Sequence, residues 1–208
     1  VITKGDTNSL QKSREKRDKD SKPIFEYPTT KVIKHLSSMI EGSDFLGNHI
    51  VKNPKLFLGS TIELNNISKQ NIILVNKKIK NGVKYFISNP IYDSEIFKDF
   101  TTKYKILTNE KFKTDVYISI RMDLPKTAFY DKEFNLDNYK NQNITKEKFY
   151  LQLINDFKNN KINKFNFVLP STHYDPIEIN NQISLINKLV KNINWIISIF
   201  NCHLYLNT

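Results

Sequence analysis

Apolar residues recur at intervals of three and four between Thr30 and Glu41, where Val32, Ile33, Leu36, Met39 and Ile40 share one side of a helix. Pro28-Thr29-Thr30 precedes that stretch and Gly42 follows it, as start and stop signals do. From residue 50 to 88 the pattern shortens to β-rich runs: Ile50-Val51, Leu56 to Leu58, Ile62 to Leu64, Ile72 to Val75 and Val83 to Ile87. Pro54, Gly59 and Asn65-Asn66 separate them, and the runs predict strands. Asn81-Gly82 between the last two predicts a type I′ hairpin, because both central residues of that turn need positive φ.

The second half reads differently. Asp115 to Met122 puts Val116, Ile118 and Ile120 on one face of a strand, and Thr145 to Asn159 carries Phe149, Leu153, Ile154 and Phe157 at helical intervals. Phe165 to Leu169 predicts another strand, stopped by Pro170. Asp175-Pro176-Ile177-Glu178 has the cap carboxylate, the proline and the early Glu of a helix start. Ile179, Ile183, Ile186, Val190, Ile193 and Ile197 follow at spacings of three and four, so the predicted helix extends to about Phe200, roughly 36 Å. His203 to Leu206 is a candidate closing strand.

The expected fold is therefore mixed α+β. An N-terminal helix and an antiparallel β-meander with a hairpin precede a β-α-β-α(-β) half built on a largely parallel sheet. Residues 1–22, polar and charged through Ser13 to Asp20, read as a flexible arm, and residues 23–208 as one domain with a possible subdivision near residue 110.

Charge changes this picture. The chain has 208 residues, 32 Lys and Arg against 21 Asp and Glu, and a formal net charge of +11. Such a field recruits polyanions. Yet the arginines are only Arg14, Arg17 and Arg121, Ala128 is the sole alanine, and Lys, Asn and Ile abound. A+T-rich coding DNA produces that skew whatever the protein does, so the charge has two readings, a polyanion partner or a solvated lysine surface. Cys202 stands alone, which excludes an internal disulfide and a CxxC metal knuckle and favours an intracellular setting over secretion. No run reaches the length of a membrane helix.

Glycine-rich phosphate loops, GxSxG and HExxH are absent, and no glycine follows Gly82. His35, His49, His173 and His203 are scattered, so neither a metal nor a cofactor is expected. Two constellations remain. Lys69, Lys77, Lys78, Lys80 and Lys84, with Tyr85, concentrate positive charge on the predicted hairpin, which suits a phosphate backbone or an edge protected by lysines. Arg121 and His173 leave the carboxyl ends of two predicted strands, where α/β sheets bind ligands.

The first constellation favours a non-enzymatic, RNA-facing component of a ribonucleoprotein, of the ribosomal or organellar accessory type. The second suits a small metal-independent ribonuclease or toxin-type hydrolase, with Arg121 holding a phosphoryl oxygen and His173 as acid or base. A protein-interaction module, docking through the long C-terminal helix, is a third reading.

Overall fold

The structure is a computed structural model, and residues 2–3, 28–122, 145–169 and 176–193 are described. In chain order the elements are β1 (Ile2–Thr3), α1 (Thr29–Ile40), β2 (Gly59–Ile62), α2 (Lys69–Lys80), β3 (Tyr85–Pro90), α3 (Ser94–Thr108), β4 (Asp115–Arg121), α4 (Lys146–Asn159), β5 (Phe165–Val168) and α5 (Pro176–Ile193). The strands neighbour one another in that same order, β1 pairing parallel with β2, and β4 parallel with β5. Parallel neighbours cannot be joined by a tight turn, which is why a helix fills each connection. The fold is α/β with an all-parallel sheet.

That corrects the expected antiparallel meander and hairpin. Residues 69–80 are helical, with the Ser68 side chain accepting a hydrogen bond from Asn71 N at 3.2 Å to cap the start. Ile72, Val75 and Ile79 recur at three and four, and Ile72 and Val75 are buried. The β-branched content of this stretch is a weak preference, and burial of a helical stripe overrides it.

Asn81-Gly82 is the helix end, not a turn between strands. Gly82 N–H donates to Ile79 O and Val83 N–H to Lys78 O, the paired bonds that finish a helix on a left-handed glycine. Gly82 has φ +104° but Asn81 has φ −85°, whereas a type I′ turn needs both positive. Only Gly82 takes the positive φ expected of both residues, and the pair ends a helix where a hairpin was expected.

The Ile50-Val51 and Leu56 to Leu58 runs are loop. Ser94–Thr108, for which the sequence reading had no element, is helical, with Phe100 and Tyr104 buried one turn apart. Most of the predicted arm lies outside the described residues, although Ile2 and Thr3 pair with Gly59 and Ser60. Residues 194–200 and the candidate closing strand, His203 to Leu206, also lie outside them.

Two compact units divide the chain. Residues 1–87 with 103–116 form one, and residues 88–102 with 117–208 form the other. In the first, α1 packs on the end of α2: Asn81 Nδ2 donates to Thr30 O at 2.9 Å, and Tyr104 Oη donates to Asn76 Oδ1 at 3.0 Å. In the second, α4 seals one face of β4 and β5 through Phe149, Tyr150, Leu153, Ile154 and Phe157, all buried. The Phe157 ring meets Phe165 edge-on at 5.9 Å.

Candidate functional site

In the second unit the pairing of β4 with β5 sorts side chains onto two unlike faces. Ile118 lies opposite Phe165, and Ile120 opposite Phe167; these belong to the face that α4 covers. Alternation puts Tyr117, Ser119 and Arg121 on the other face, with Asn166 opposite Ser119 and Val168 opposite Arg121. Asn166 Nδ2 donates to Ser119 Oγ at 3.1 Å, and Lys164 Nζ sits 5.9 Å from the centre of the Tyr117 ring. Parallel strands usually read apolar on both faces because both are covered. Here one face is aliphatic and aromatic, and the other carries Ser119, Arg121 and Asn166 beside Tyr117 and Val168.

Hydrogen bonds hold the carboxyl end of β4 in place. Tyr150, fully buried in α4, donates its hydroxyl to Arg121 O at 3.0 Å. Ser119 N–H donates to Ser88 Oγ at 2.9 Å, Ile91 N–H to Ser119 O at 3.3 Å, and Met122 N–H to Val168 O at 3.0 Å. Arg121 is half-buried at the last position of the strand. Its guanidinium is a fixed cation with five donors in a fork that matches a carboxylate or phosphate.

β4 and β5 are adjacent and parallel, so Arg121 and the segment after Val168 leave the same edge. His173 belongs to residues 170–175, which lie outside the described residues. Among the described residues no group of His, Cys, Asp and Glu could hold a metal ion, and no helix is long and apolar enough to cross a membrane.

The lysine constellation is divided by the helix that replaces the hairpin. Lys69, Lys77 and Lys80 are exposed on α2 and Lys84 just beyond it, and Lys80 is 3.9 Å from Glu110. Lys78 faces inward, 6% exposed, and its Nζ donates to Thr61 O at 2.9 Å. Tyr85 is buried too, its ring stacked on Phe57 at 5.2 Å. Neither is presented to a partner.

Burial pushes the Lys78 ammonium below its ordinary pKa of 10.5, since desolvation disfavours the charged form. Between the depressed value and 10.5 the unfolded chain binds more protons at this site than the folded one, so stability rises with pH through that window. Below the window the burial penalty is present in full. Lys78→Met has no such dependence. Urea midpoints of the parent and Lys78→Met are expected to converge, or to shift in favour of the parent, as pH rises from 7 to about 10.5. A constant difference across that range excludes a buried, titrating ammonium.

Tyr117, Ser119, Lys164 and Asn166 escaped the sequence reading, which took from Asp115 to Met122 only its apolar face. The signal was the other half of the same alternation.

No family model matches the chain, and no curated protein does. Among solved structures it is similar to an uncharacterized protein from Clostridium thermocellum that binds two copies of 5-methyl-5,6,7,8-tetrahydrofolic acid, at TM-score 0.47 and 18% identity over 68% of this chain. The chain spans 55% of that protein's length. Likeness this distant carries neither fold nor ligand across.

Proposed function

We propose that this chain is a ligand-binding α/β domain that takes a small anionic molecule at the carboxyl end of β4 and β5, with Arg121 as the anion anchor. The observation that carries the reading is the polar face itself: Tyr117, Ser119, Arg121, Lys164 and Asn166 share one side of a parallel strand pair whose opposite side is Ile118, Ile120, Phe165 and Phe167. Loops after parallel strands converge at the carboxyl edge, where such folds place their ligands. Asn166, half-buried and bonded to the buried Ser119 Oγ, adds a neutral donor and acceptor for orientation, while Tyr117 and Lys164 lie toward the amino end of the same face.

The test is a thermal-shift panel of phosphorylated and carboxylated small molecules against the full chain, repeated with Arg121→Gln. A ligand that raises the melting temperature of the parent is expected to bind Arg121→Gln about 10- to 100-fold more weakly, the loss of a charge-assisted contact. Equal shifts in both proteins, or no shift from any anion, overturns the proposal. Total RNA incubated without metal checks the ribonuclease alternative in the same preparation.

A second reading, the RNA-facing role, is supported by Lys69, Lys77, Lys80 and Lys84, exposed on and beside a helix without one acidic residue. It predicts binding that weakens steeply as salt rises.

A further inference from the structure

α2 carries large apolar side chains on its outer side as well as its inner one. Ile72 and Val75 are buried, yet Ile73 is 53% exposed and Leu74 43%, and on the last turn of α3 Ile106 is 70% exposed and Leu107 42%. The two helices meet at Asn76 and Tyr104, whose side chains share a 3.0 Å hydrogen bond, and again where Lys80 Nζ comes within 3.9 Å of Glu110. Ile73 lies one turn before Asn76 and Leu107 one turn after Tyr104, so both border the line of contact. Both helices connect strands of a parallel sheet and therefore run the same way. Ile73 and Leu107 are thus offset by about 9 Å along the helix axes, close to two turns of a third helix laid in the groove.

The rim of this groove is cationic. Lys69 and Lys77 lie one turn to either side of Ile73, and Lys103 one turn before Leu107, spacings that put Cβ atoms about 5–6 Å apart. Across residues 69–84 and 103–113 every exposed charged side chain is a lysine except Glu110, which Lys80 faces. All of these residues belong to the first compact unit. A groove with apolar residues along it and lysines on its rim matches an amphipathic helix whose polar flanks are acidic. RNA gives Ile73 and Leu107 nothing to cover them, and no aromatic ring stands exposed on these spans to stack a base. A second copy docked by the same face would bring lysines against lysines.

We infer that the outer groove between α2 and α3 is a docking surface for an acidic amphipathic helix of a partner protein, Ile73 and Leu107 receiving its apolar side and Lys69, Lys77 and Lys103 its carboxylates. Leu74 and Ile106, exposed beside them, widen the apolar strip. The groove is already formed. The Ser68 cap fixes the start of α2 and the Asn76–Tyr104 bond fixes its spacing from α3, so little conformational freedom is lost on docking. The inference goes beyond the anion site at Arg121 and shares no residue with it.

Fluorescence anisotropy with the full chain tests this, using a labelled peptide of about 20 residues with Leu at helical positions i, i+3 and i+7 and Glu on its flanks. It is expected to bind about tenfold more tightly than the same residues reordered to break the helical spacing, or than a version with Lys in place of Glu. Lys69→Glu with Lys77→Glu, at exposed positions that leave the melting temperature unchanged, should weaken the acidic peptide about tenfold or more and tighten the lysine version. Ile73→Ser with Leu107→Ser should weaken the acidic peptide about tenfold without altering its salt dependence. Failure to bind the acidic peptide overturns the inference, as does equal binding of the reordered one or a charge reversal without effect. A gel shift with total RNA that the charge reversal abolishes, in protein that binds no peptide, also overturns it and assigns the face to RNA. A dimer in sedimentation velocity that Ile73→Ser with Leu107→Ser dissolves, again without peptide binding, overturns it in favour of self-association.

Discussion

Gly59→Ala is expected to destabilise the protein by about 3 kcal/mol, at the upper end of what overpacking costs. A Cβ built on Gly59 in β2 would stand 2.3 Å from Cζ of Tyr85 in β3, with two further ring atoms within 2.7 Å. Tyr85 cannot swing aside freely, because it is buried and stacked on Phe57. The ring lies where a side chain would be, and only glycine lets β2 and β3 keep their spacing. Tyr85→Leu removes the obstruction, so the cost of Gly59→Ala in that background should fall below about 1 kcal/mol, a coupling that a double-mutant cycle in urea reads directly. Equal costs in both backgrounds would show that the close approach of ring and glycine is not the cause.

The second large effect belongs to Phe157. Replacing this fully buried ring by alanine removes its contact with Phe165 and leaves a cavity between α4 and β5, at a cost of about 3–5 kcal/mol. Phe157→Leu should cost less than half as much. The consequence reaches the candidate site through the sheet. Phe165 and Asn166 are consecutive on β5, so a strand that settles differently on α4 also moves the Asn166–Ser119 hydrogen bond on the opposite face. Phe157→Leu still fills most of that space and keeps β5 in place, so any ligand found in the anion panel should bind it nearly as well as the parent. If it binds that variant as poorly as Arg121→Gln, the site extends into the helix-facing core and the division of faces is wrong.

Both predictions depend on features that the residue pattern leaves open. The clash at Gly59 exists because two strands distant in sequence lie side by side, and the worth of Phe157 depends on which strand α4 meets. Periodicity located α1, α4 and β4 because each has an apolar stripe of one clear period over seven or more residues. It misread α2 because Ile72, Ile73, Leu74 and Val75 are consecutive, and a short apolar run does not distinguish strand from helix. The Asn81-Gly82 pair compounded the error, since a glycine with positive φ closes helices as readily as it turns hairpins.

The candidate site was legible in one residue and hidden in four. Arg121 stood out by scarcity and by its place at the end of a strand. Asn166 sits in a four-residue strand too short to declare its own faces, with Lys164 just before it, and only pairing with β4 puts Asn166 opposite Ser119 and Lys164 Nζ near the Tyr117 ring. Lys78 shows the converse: its charge is plain in the sequence, yet the helical turn that carries it points Nζ at a strand carbonyl, away from solvent.

What the sequence alone determined is local: where the longer helices run, where β4 lies, where positive φ is needed, and that the chain carries excess positive charge. Those follow from the bonded neighbours of each residue and the period of its apolar positions. The tertiary structure decided that the strands are parallel, which lysines face outward and which side chains share a sheet face. These depend on pairings between segments tens of residues apart, whose free energy comes from burial that no single segment contains.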